Sequence, residues 1–85
     1  MIIGILKIKI YIPWAHSLKE KRMVVKSLCA KVGNKFNVSI AEVEEQDTHQ
    51  TIVLGVACVA GSAALADSIC DNVLNFIESN TEGDI

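Results

Sequence analysis

The chain has 85 residues, with eight Lys and Arg against ten Asp and Glu, 51% hydrophobic and 21% charged residues, and three cysteines. That balance excludes a disordered chain, and the length makes one domain whose modest core buries roughly 60–65% of the unfolded surface. No apolar run reaches the ~18–20 residues of a membrane helix; Cys29, Cys58 and Cys70 are odd in number and lack C-x-x-C spacing, which points away from a disulfide framework and toward a reducing cytoplasm.

Residues 2–12 are rich in β-formers. Leu6, Ile8, Ile10 and Ile12 alternate with Lys7, Lys9 and Tyr11, which predicts a half-buried strand that ends at Pro13. The apolar start reads as this strand and not as a signal peptide, because Lys7 and Lys9 follow it without a basic leader or cleavage site. Ser17 and Glu20 form a Ser-x-x-Glu capping box that opens a helix. Its apolar stripe is Leu18, Val25, Leu28, Cys29 and Val32, and Gly33-Asn34 is a suitable stop. A second strand is predicted over 36–45, with Phe36, Val38 and Ile40 inward. Glu44-Glu45-Gln46-Asp47 makes a polar turn. A third strand runs over about 49–60, with Ile52, Leu54, Val56 and Cys58 inward and Thr51, Val53, Gly55 and Ala57 outward. Ser62 caps a second helix with the stripe Leu65, Ile69, Val73, Leu74 or Phe76, and Ile77.

The order β-α-β-β-α with one crossover predicts a ferredoxin-like α+β sandwich, with two helices on one face of an antiparallel sheet. Residues 1–80 form the domain, and 81–85 are a polar tail or the stub of a short or missing fourth strand. Without that strand the first strand is an open edge, which invites a second chain and predicts a homodimer or higher oligomer, or else a truncated chain.

Ser17-Leu18-Lys19-Glu20-Lys21-Arg22, then Phe36-Asn37-Val38-Ser39, then Ala41-Glu42-Val43 with Gln46-Asp47, resembles the YlxP-like family of small bacterial proteins, a domain of unknown function. The resemblance spans about residues 2 to 78. It implies a ferredoxin-like fold and, by the translation-initiation and ribosome-maturation genes that neighbour the family's genes, a place near RNA or the ribosome. It brings no catalytic residues.

The charges are segregated. Residues 1–41 hold all eight Lys and Arg and only Glu20, a net +7, whereas residues 42–85 hold nine acids and no Lys or Arg. Such asymmetry points to a polyanion or to self-association. Lys19, Arg22 and Lys26 fall on one helix flank. Lys21 falls inside the apolar arc, from which it either snorkels out or reaches a partner. Lys7 and Lys9 lie on the outer sheet face, where Tyr11 is the one aromatic, too few for base stacking of the RRM kind. Glu42, Glu44, Glu45, Asp47 and His49 cluster near the turn, but alternation splits Glu42 and Glu44 from Glu45 and Asp47, which leaves no metal set. Neither histidine has a nucleophile or orienting acid at fixed spacing, and no glycine-rich phosphate loop occurs. The residues therefore predict a cytoplasmic, non-enzymatic binding protein without cofactor, whose Lys19, Lys21, Arg22 and Lys26, with Lys7 and Lys9 secondary, would contact a polyanion. The resemblance implies that this is RNA or a ribosomal subunit in translation or ribosome assembly. The alternative is a self-assembling, ACT-like regulatory domain that holds a small ligand between subunits.

Overall fold

The computed structural model describes all residues from 1 to 85. The elements are β1 (Ile2–Tyr11), α1 (Leu18–Lys35), β2 (Ser39–Glu44), β3 (Thr51–Ala60) and α2 (Ala63–Ser79). The strands form one antiparallel sheet in the order β1-β3-β2. Both helices pack on one face of it, in the α+β arrangement of the ferredoxin-like fold. The core joins Ile8, Ile10, Ile52, Leu54 and Val56 of the sheet to Leu28 and Val32 of α1 and Val73 and Ile77 of α2. Burying a Val, Leu or Ile side chain stabilises by roughly 1.5–3 kcal/mol, so this shared layer holds the helices down. Phe36 and Phe76 meet edge to face at 5.6 Å between ring centroids, tying the end of α1 to α2.

Three boundaries differ from the sequence expectation. α1 runs through Gly33-Asn34 to Lys35, because Val32 is buried there and its carbonyl accepts from the Phe36 N–H at 2.8 Å. Packing of the last turn outweighs the helix cost of one glycine, about 1 kcal/mol. Phe36 to Val38 are consequently a connection, and β2 begins at Ser39. β3 begins at Thr51, because 45–50 form a turn closed by the Thr48 N–H donating to the Glu45 carbonyl at 3.0 Å. Glu45 holds this turn in the left-handed region with φ 59°.

A bulge between Glu42 and Glu44 corrects a further expectation. Glu42 lies opposite Leu54 on the inner face, while Glu44 lies opposite Val53 on the outer face. The extra residue, Val43, folds over Gly55, where an added Cβ would come within 2.9 Å of Val43 Cγ1.

The tail meets the β1 edge at one point. Tyr11 and Asp84 exchange backbone hydrogen bonds of 2.6 and 2.8 Å as an isolated antiparallel bridge, and the β1 edge from Ile2 to Ile10 has no neighbour. Gly83 permits that approach. A Cβ there would lie 2.7 Å from Ile10 Cγ2 and 2.9 Å from the Tyr11 carbonyl oxygen. Gly83→Ala is therefore expected to lift the tail off β1. Hydrogen exchange should show the Tyr11 amide losing protection, with a stability loss of about 1 kcal/mol for the broken pair. Unaltered Tyr11 exchange would contradict this account of the glycine.

Candidate functional site

The α1 start is built as the sequence predicts. Ser17 Oγ accepts from the Glu20 N–H at 3.1 Å, and Glu20 Oε2 reaches back to the His16 N–H at 3.3 Å. Of the first-turn donors, the Glu20 N–H is thereby taken, while the His16 N–H lies before the cap, so the side-chain cations and not the capped turn are the main feature of α1 toward an anion.

Lys19, Arg22 and Lys26 are exposed and share one flank, as three- and four-residue spacing requires. None forms an ion pair, since the two pairs within the chain are Lys7–Glu44 and Lys21–Glu42. Lys31 and Lys35 are also exposed and unpaired with acids. They lie about 120° or more around the helix from Lys19, and Lys35 stacks its ammonium 5.1 Å from the Phe76 ring centroid. On the outer sheet face, Lys7 pairs with Glu44, whereas Lys9 has no acidic partner.

Lys21 is a correction to the predicted contact set. It is 0% exposed. Its ammonium donates to the carbonyls of Glu45 and, at 2.6 Å, Thr48, and sits 2.8 Å from Glu42 Oε2. That carboxylate oxygen is buried and no N–H lines up on it, so the contact is an ion pair and not an aligned hydrogen bond. A buried ammonium must be paired and hydrogen-bonded, and the left-handed Glu45 turns its carbonyl toward the helix for this purpose. Lys21 thus fastens α1 to the β2–β3 turn and is withdrawn from any surface. The odd position was visible in the sequence. Its acceptors were not, because two of the three are backbone carbonyls.

The acidic residues of α2, Asp67, Asp71 and Glu78, are exposed, so the helical layer has one basic and one acidic helix. No group of three or more His, Cys, Asp and Glu side chains is placed to hold a metal ion. Burial raises the Cys29 thiol above its ordinary value, with Glu42's charge second. The Cys70 thiol is also raised, first by burial and then by its neighbour Cys58. Raised thiols are poor nucleophiles at neutral pH. Native protein should therefore react slowly with a disulfide reagent and fully once unfolded. The unfolded chain ionises these thiols first, so their contribution to stability is intact below the ordinary thiol value of 9.0 and declines as pH rises above it. Rapid native labelling of Cys29 would refute this.

The fold and its cation-rich helix define a small ferredoxin-like domain whose unopposed basic cluster lies on α1. Residues 3–85 match the model of a protein family of unknown function, DUF503, and the chain belongs to that family. It is 47% identical over 68 residues to the uncharacterized protein YlxP of Bacillus subtilis strain 168, a match covering 80% of this chain and 74% of that protein. No helix is long and apolar enough to cross a membrane.

Proposed function

We propose that this protein is a cytoplasmic, non-enzymatic binding module that contacts the phosphates of structured RNA, on a ribosomal subunit or its precursor, through Lys19, Arg22 and Lys26. The observation that carries the reading is the exposure of these three cations on one flank without a carboxylate partner. Cations left unpaired in a chain of net charge −2 are available to an external polyanion. Lys9 is a secondary contact at the sheet face. Lys7 is discounted by its pair with Glu44. Recognition would be by backbone and shape, because Tyr11 is the one aromatic on the outer sheet face.

Comigration of the purified protein with ribosomal subunits and with bulk structured RNA, followed across a salt series, tests this. Binding should fall steeply as salt rises, because each neutralised phosphate releases counterions. Absence of binding at low salt would end the RNA reading.

A further inference from the structure

We infer that the outer face of the sheet is a self-association surface, and that its occupant is a second copy of this chain packed sheet on sheet. The face is unpartnered, since both helices lie on the other side. It divides into two parts. At one end, Ile3 and Ile5 of β1 lie beside Val59 and Ala57 of β3, with Ser39 of β2 opposite Ala57; the next row runs from Lys7 over Gly55 to Ala41, with Val43 folded over Gly55. Ile3 is 59% exposed, Ile5 79% and Val59 67%. Together they form an apolar patch on the order of 400 Å², a size that on a monomer is usually functional. At the other end one row crosses the sheet from Lys9 on β1, over Val53 on β3, to Glu44 on β2.

That layout is complementary to itself. A two-fold axis along β3, in the plane between two facing sheets, lays β1 over β2 of the partner without changing height along the strands. The apolar end then meets the apolar end. Lys9 comes opposite Glu44 of the partner subunit, a half-exposed carboxylate that would bridge it and the Lys7 of its own chain, and the reciprocal contact forms as well, as an isologous interface requires. The central strand presents the small residue Ala57 where the two sheets come closest, beside Val43, which covers Gly55. Facing sheets pack about 10 Å apart, and a stable pair needs about 800 Å² per partner, which the patch and its charged rim together approach. Nucleic acid is the poorer occupant, because branched aliphatic side chains offer bases nothing to stack on.

The inference stands on a different surface from the α1 flank that carries the RNA reading, and the two overlap only at Lys9, the secondary RNA contact, which the dimer would cover. Light scattering at micromolar concentration should give twice the 9.2 kDa chain mass. Ile5→Glu should raise the dissociation constant about a hundred-fold, with an unchanged circular dichroism spectrum because the side chain is exposed. Lys9→Glu and Glu44→Lys should each weaken the homodimer by like-charge contact. Mixed together, the two variants should pair preferentially, because both of their cross-contacts are again opposite in charge. A single-chain mass, a dimer indifferent to Ile5→Glu, or failure of the mixed variants to pair would each overturn the inference. Open-ended assemblies would also overturn it, pointing instead to contact between the basic and acidic helices. If the Ile5→Glu monomer still binds RNA with the same salt dependence, the two sites are separate.

Discussion

Lys21→Met should lower the free energy of unfolding by about 3–5 kcal/mol, the cost of removing one partner from a buried ion pair. The methionine keeps most of the stem, so the loss is electrostatic and not a cavity. Two carbonyls and the inner oxygen of Glu42 lose their cation together. A domain of this length has a total stability of only about 4–13 kcal/mol, so urea unfolding should show a midpoint far below that of the parent. The melting temperature should fall by about 12–40 °C. Loss should be most visible at the β2–β3 turn, where exchange of the Thr48 amide should accelerate because the Glu45 carbonyl that accepts it is no longer held. Adding Glu42→Leu to Lys21→Met should recover part of the stability, because the orphaned carboxylate is then gone. A single variant as stable as the parent would show that the Lys21 contacts contribute nothing to holding α1 on the turn.

Lys21 also marks how far the sequence is legible. The strand period at Leu6 to Ile12, the Ser17-Glu20 cap and the Ser62 cap are local signals, and each appears where local chemistry places it. The departures are all tertiary. Gly33-Asn34 resembles a stop until Val32 is seen to be buried. Alternation assigns Glu42 and Glu44 to one face, and only the bulge at Val43, specified by the bare backbone of Gly55, parts them. The candidate contact surface was partly visible. Helical spacing collected Lys19, Arg22 and Lys26 correctly, but it says nothing of which cations remain unpaired. Lys21 and Lys7 are removed by acids 21 and 37 positions further along the chain. The same alternation that exposed Lys7 and Lys9 also projects Ile3 and Ile5 outward. Strand start and strand end become one patch only once β1 and β3 are aligned in register.

Charge reversal on α1 separates a local site from a general charge effect. With three phosphate contacts, the logarithm of the RNA association constant should fall by about 2–3 for each tenfold rise in salt. The triple variant Lys19→Glu, Arg22→Glu, Lys26→Glu removes those contacts and adds three repulsions. Affinity at low salt should drop at least about a hundred-fold, and the salt slope should flatten toward zero. Fold is not the confounder, because all three side chains are exposed and unpaired. The matched control is Lys31→Glu, on another side of the same helix. It changes net charge in the same sense but stands outside the flank, so the slope should be nearly unchanged. Equal losses from Lys31→Glu and from Lys19→Glu would mean that the helix attracts RNA as a diffuse charge without a defined face. Binding untouched by the triple variant would remove α1 from the interface altogether. Loss confined to the Lys19, Arg22 and Lys26 flank would fix the orientation of the bound RNA, which would then lie along α1 and away from the outer sheet face.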